Sequence, residues 1–184
     1  MVKNKVVKCV PNFLTVVNLI LGITAILFAI KLEHPQKLLI ITALILLGAI
    51  ADVADGYAAR KFNAVTSVGK QLDSFADLVT FGIAPIALVN YISPCDYFGI
   101  VTISSLMFVC AGVFRLIRYN LRDFTKHFTG LPITAAGVTL TLYCALYRIV
   151  HVNLPTAADS TITVSLMVLL SLFMVSRVKV RRIV

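Results

Sequence analysis

Apolar residues in this chain come in long runs broken by short polar connections. Six runs can be marked: Pro11 to about Ile30, Leu38 to Ala59, Ser67 to Tyr91, Phe98 to Ile117, Ile133 to Val150 and Ser160 to Val175. Runs of this length match the roughly 20 residues a helix needs to cross about 30 Å of hydrocarbon. They predict six transmembrane helices. The connections carry the breakers, with Pro35 in the first, Ser93-Pro94-Cys95-Asp96 as a tight turn, Gly130 and Pro132 in another, and His151, Asn153 and Pro155 in the last. Gly82 and Pro85 lie inside the third run and predict a kink there. Residues 1–9 set Lys3, Lys5 and Lys8 among valines, which reads as a charged flank or a short interfacial helix. The first run is too long for the core of a signal peptide and has no small-residue cleavage site.

Composition agrees. The chain is 59% hydrophobic and 14% charged, against about 45–50% and about 25% in soluble domains. The fold class is therefore an all-α integral membrane protein, a single domain over 1–184 with no room for a sizeable soluble part. A net charge of +9 would suggest nucleic acid in a soluble protein. Here the charges flank apolar runs, so they speak for orientation and contact with anionic membrane lipids, with no nucleic-acid partner. Fourteen Lys and Arg lie at the N-terminus (Lys3, Lys5, Lys8), in or beside the second connection (Arg60, Lys61, Lys70), in or beside the fourth (Arg115, Arg118, Arg122, Lys126) and in the tail (Arg177, Lys179, Arg181, Arg182), against three (Lys31, Lys37, Arg148) on the other side. By the positive-inside rule both termini are cytoplasmic. The four cysteines (Cys9, Cys95, Cys110, Cys144) have no metal-ligand spacing and read as free thiols.

Against this apolar background, four of the eight acidic residues fall between Asp52 and Asp77. Asp52 and Asp55 are three apart, and Asp73 and Asp77 four apart, so on helices each pair shares a face. Consecutive spans should form an antiparallel hairpin. Folding it about residue 64 or 65 sets Asp52 level with Asp77 and Asp55 level with Asp73. Four carboxylates at two matched depths repel one another in a low dielectric unless they are protonated, solvated or bound to cations. Oxygen-only ligation suits Mg²⁺, Mn²⁺ or Ca²⁺. A two-metal site serves phosphoryl transfer; a proton or cation transporter is the rival reading, although its ionisable groups sit nearer the midplane. Gly56, Ala58, Ala59 and Gly69 read either as low walls for a ligand or as small-residue helix contacts.

The same stretch matches, position for position, the signature D-x-x-D-G-x-x-A-R-x₈-G-x₃-D-x₃-D through Asp52, Asp55, Gly56, Ala59, Arg60, Gly69, Asp73 and Asp77. The chain thus resembles the CDP-alcohol phosphotransferases, membrane enzymes of phospholipid synthesis. Pro11-Asn12-Phe-Leu-Thr15-Val-Val-Asn18, the segment from Asp73 to Pro85, Phe114 to Asn120 and Phe128 to Pro132 resemble the phosphatidylserine synthase branch. The resemblance implies transfer of a phosphatidyl group from CDP-diacylglycerol, or from an ether-linked CDP-archaeol, to L-serine with release of CMP. It implies two divalent cations, Mg²⁺ or Mn²⁺ (Ca²⁺ being a further hard ion), on Asp52, Asp55, Asp73 and Asp77, with Asp77 as general base. It implies a CDP pocket lined by Thr15, Asp52, Gly56, Ala59, Arg60, Gly69 and Asp73. It also implies a homodimer in the cytoplasmic membrane, with the site on the cytoplasmic side. Glycerol phosphate or an inositol phosphate as acceptor stays open within the family.

Arg115 and Arg118 lie three apart at the end of the fourth run. They read either as flank charge or as an anion site for the serine carboxylate or a lipid phosphate. Arg122, Lys126 and the tail from Arg177 to Arg182 read as flank and inner-leaflet attraction. His34, His127 and His151 lie in different connections, so no histidine site is assigned.

Overall fold

The structure, a computed structural model, describes residues 2–34, 36–62, 64, 66–93, 98–121, 128–150, 156–176 and 179–180. Most of the tight turn after Ser93, the connections at 122–127 and 151–155, and the tail arginines Arg177, Arg181 and Arg182 lie outside the described residues.

Among the described residues the architecture is helical apart from one short strand pair. The helices are α1 (Val2–Lys31), α2 (Lys37–Lys61), α3 (Ser67–Ile92), α4 (Phe98–Leu121), α5 (Ile133–Val150) and α6 (Thr156–Val175). Strand β1 (Phe128–Thr129) pairs antiparallel with β2 (Lys179–Val180). Among the described residues, four helices are long and apolar enough to cross a membrane: α1 from Pro11, α2, α3 and α4. The apolar stretches Ile133–Leu146 and Ser160–Val175 are shorter.

Two sequence expectations change form. Residues 2–10 are helical, but as the first turns of α1 and not as a separate interfacial helix; the helix runs on through Pro11. The expected kink in the third run is a π-helical turn, Leu78–Ile83, inside α3. Pro85 has no N–H, so the carbonyl four residues earlier, that of Phe81, loses its α-helical donor. A wider turn absorbs this mismatch, as π-turns do within α-helices. Gly137 of α5 packs directly on that backbone: a Cβ there would stand 2.7 Å from the Cα of Phe81.

Large apolar side chains such as Phe13, Ile20, Leu47, Ile50, Ile103, Leu106 and Phe173 face outward. In lipid such exposure costs nothing, and burial of apolar area does not hold helices together. Close approach does. Beneath the aspartates, α1, α2 and α3 meet at Asn18, Gly22, Gly48 and Thr80. A Cβ on Gly22 would lie 2.9 Å from the Thr80 Cα, and one on Gly48 would lie 2.7 Å from Thr80 Cγ2 and 2.9 Å from Asn18 Oδ1. Thr80 Oγ1 donates to the Asn18 carbonyl at 3.0 Å. Farther along, the buried Lys37 at the start of α2 sets its Nζ 4.2 Å from the ring centre of Tyr91 near the end of α3, a cation–π contact.

These contacts correct the simple hairpin. α2 and the N-terminal part of α3, which carries Asp73 and Asp77, hardly touch along their backbones, and α1 packs along both. The two helices meet at depth and stand apart where the carboxylates are, which four like charges require.

Candidate active site

The gap between α2 and α3 is where the acidic residues converge. One carboxylate oxygen from each of Asp52, Asp55 and Asp73 lies within 4.8 Å of the others. The Asp77 carboxyl meets that of Asp52. Asp55 and Asp77 are buried; Asp52 and Asp73 are half-buried. The four residues expected to converge are therefore brought together, with Asp77 against Asp52 and Asp73 beside both Asp55 and Asp52.

Two threonines from outside the pair of helices hold the α2 carboxylates. Thr15 of α1, itself buried, donates to Asp55 Oδ2 at 2.7 Å. Its hydroxyl also lies 3.0 Å from the Pro11 carbonyl, and its single proton favours the shorter, charge-assisted bond. Thr134 of α5 donates to Asp52 Oδ2 at 3.2 Å. By contrast Asp73 Oδ1 and Asp77 Oδ1 are buried with no hydrogen-bond partner in the protein. Such orphaned acceptors call for a donor or a cation. An oxygen-ligated divalent ion sits about 2.0–2.6 Å from each donor, so its ligands lie at most about 5 Å apart. The aspartate cluster fits that demand and could hold a metal.

The small residues of the signature divide. A Cβ on Gly56 would meet only Arg60 Nη1, at 3.5 Å, so the wall of α2 is low there. Ala59 is half-buried and Arg60 exposed beside it. Gly69 serves a close approach instead: a Cβ would stand 2.9 Å from Asn12 Oδ1 and 2.9 Å from Thr66 Oγ1. Thr66 caps α3, accepting from the Gly69 amide at 3.0 Å.

The two arginines of α4 also part company. Arg115 is buried, its charge reaches Asp77 and Asp52, and its Nε has no partner in the protein. Arg118 instead closes the C-terminal end of α6. Its Nη1 donates to the Val175 carbonyl at 3.0 Å, and its Nη2 to the carbonyls of Ser176 at 3.1 Å and Met174 at 3.4 Å. Of the two arginines proposed for an anion site, Arg118 thus stands at a helix end, where these bonds fill an ordinary need.

Residues 8–178 match the family model described as CDP-alcohol phosphatidyltransferase. The chain belongs to this family. A CDP-diacylglycerol–serine O-phosphatidyltransferase of Bacillus subtilis is 35% identical over 158 residues, 85% of this chain and 86% of that protein. One of the same name from Methanocaldococcus jannaschii is 35% identical over 146 residues, 78% of this chain and 64% of that protein. An archaetidylserine synthase of Methanothermobacter thermautotrophicus is 35% identical over 136 residues, 72% of this chain and 56% of that protein. The chain is thus an enzyme of a transferase family, and its apolar helices make it a multi-pass membrane protein.

Three parts of the site carry little local signal. Thr134 reaches Asp52 across 82 residues of chain. Asn120 of α4 donates to Ser74 Oγ at 2.9 Å, and Lys70 Nζ to the Asn120 carbonyl at 3.3 Å, bracing α3 beside Asp73 and Asp77. Lys70, counted from the sequence as a flank charge, also lies 5.2 Å from the ring centre of Tyr119. Asn12 and Asn18, in a segment with a family resemblance, are the side chains that Gly69 and Gly48 approach closely.

Proposed function

We propose that this chain transfers a phosphatidyl group from a CDP-lipid, ester-linked CDP-diacylglycerol or ether-linked CDP-archaeol, to the hydroxyl of L-serine and releases CMP. The observation that carries the reading is the convergence of Asp52, Asp55 and Asp73 within 4.8 Å, with Asp77 against Asp52 and the buried Arg115 within reach. The names of the relatives support serine as the acceptor.

Asp52, Asp55, Asp73 and Asp77 would hold two divalent ions, Mg²⁺ or Mn²⁺. Bound there, such ions neutralise the pyrophosphate and stabilise the departing phosphate. The residues do the rest. Asp77 takes the proton of the serine hydroxyl, its unpartnered Oδ1 being the acceptor. The serine oxygen then bonds to the lipid-side phosphorus, and the bond from that phosphorus to the CMP phosphate oxygen breaks. Arg115, whose Nε is unpartnered, binds the serine carboxylate. Thr15, the low wall at Gly56 and Ala59, Arg60 and Gly69 line the CDP side. The charge asymmetry, fourteen basic residues against three, supports a topology of six spans with the site and both termini on the cytoplasmic side.

Purified protein with Mg²⁺ or Mn²⁺, CDP-lipid and labelled serine should release CMP and form a serine lipid. CMP release with glycerol phosphate, and none with serine, would overturn the choice of acceptor.

A further inference from the structure

Away from the carboxylates, the most elaborate polar construction is at the end of α6. Arg118 bonds three carbonyls there. The Leu131 amide donates to the Phe173 carbonyl at 3.1 Å. Just before it, Gly130 adopts a left-handed φ of 81°, and a Cβ on it would stand 3.0 Å from both the Ser176 carbonyl oxygen and Arg118 Nη2. Phe128 and Thr129 pair with Val180 and Lys179. The connection between α4 and α5 is thus knitted, at every described position from 128 to 131, to the last turn of α6 or to the chain just beyond it. Two residues later α5 begins. Ile133 is wholly buried against Gly112, and Thr134 follows it with its hydroxyl on Asp52 Oδ2.

We propose that Thr134 is a positioning residue for Asp52 and that the end of α6, clasped by Arg118, together with β2 beyond it, paired to β1, sets where Thr134 stands. The α2 carboxylates are then braced from two sides, by Thr15 on Asp55 and Thr134 on Asp52. A donor on one oxygen fixes the rotamer of a carboxylate and leaves the other oxygen aimed at its ligand, the usual work of groups behind a metal ligand. The inference rests on the reading of Asp52 as a ligand.

The test needs no substrate. Thermal unfolding of the full-length protein in detergent is followed against Mn²⁺ concentration. Asp52→Asn should lose the stabilisation. Thr134→Val should require roughly 10–100-fold more Mn²⁺ for half the effect, with its metal-free melting temperature close to that of the unchanged protein, and Thr134→Ser should restore the midpoint. A chain ending at Ser176, and Arg118→Gln at full length, should shift the midpoint in the same direction by less. If the shortened chain does not fold, Arg118→Gln decides that part. An unmoved midpoint in Thr134→Val, or no rescue by serine, overturns the role of Thr134 while Asp52→Asn still reports on the ligand. Unmoved midpoints in both the shortened chain and Arg118→Gln overturn the clasp. Stabilisation that survives in Asp52→Asn overturns the ligand reading and this inference with it.

Discussion

Two adjoining layers of this bundle are built on opposite plans. In the layer of Asp52, Asp55, Asp73 and Asp77, α2 and α3 stand apart and the space between them is edged by side-chain oxygens. One turn deeper, at Asn18, Gly22, Gly48 and Thr80, the same helices and α1 are so close that no side chain larger than hydrogen fits at either glycine. The contrast shows how charge is tolerated within an apolar bundle. The tight layer supplies the van der Waals contact that lipid cannot replace, and the open layer is left free to be shaped by its ligands.

The sharpest way to break the contrast is to disarm the open layer without loosening the tight one. Asp77→Asn should lower CMP release by about 10²–10⁴-fold, the usual worth of a positioned base, with an unchanged melting temperature in detergent. Full activity would end the assignment of Asp77 as base. Next in size is the split between the two arginines. Arg115→Gln should raise the KM for serine by about 10–100-fold, the equivalent of about 1.5–3 kcal/mol for a charge-assisted bond. Arg118→Gln should leave that KM near its starting value. Equal effects on KM would mean that the arginines act together after all.

The tight layer is probed by filling it. Gly48→Val should cost about 1–3 kcal/mol by overpacking, read as a lower melting temperature, because its new methyls would press on Thr80 and Asn18. The same change at Gly56, where a Cβ meets only Arg60 at 3.5 Å, should leave the melting temperature almost unmoved and act on CDP-lipid turnover. Equal destabilisation at both would erase the distinction between the layers. The smallest effect is expected at Thr15→Val, which removes one donor worth about 0.5–1.5 kcal/mol and should cut activity by no more than about tenfold. Loss of all activity there would mean that Asp55 depends on Thr15 alone for its position.

Much of the open layer was legible in the sequence because it is local. Spacings of three and four on consecutive helices fix faces and depths, and the fold about residue 64 or 65 brought Asp52 to Asp77 and Asp55 to Asp73 as observed. What lay hidden depends on helices that are neighbours in space and not in order. No periodicity announces that α1 packs along both acidic helices, that Thr134 bonds a residue 82 positions earlier, or that Arg118 closes α6. Arg115 and Arg118 look alike as sequence; three residues of helix turn them about 60° apart, enough to give one to the carboxylates and the other to a helix end. The small residues of the signature were equally ambiguous: Gly56 stands open and Gly69 is needed for contact with Asn12.

The π-turn at Leu78–Ile83 makes α3 a helix with two phases. Each such turn takes up one residue more than an α-turn, so the part bearing Asp73 and Asp77 is rotated by about 100° against the part bearing Leu88 and Tyr91, relative to an unbroken α-helix. Length is then a coded quantity in this segment. Removing one residue between Leu78 and Ile83 would let α3 relax to a regular helix of nearly the same length and hydropathy, fully able to insert, yet it would swing the aspartates away from α2 or Leu88 out of the core. The turn works as a fixed angular offset between a part that anchors and a part that reacts.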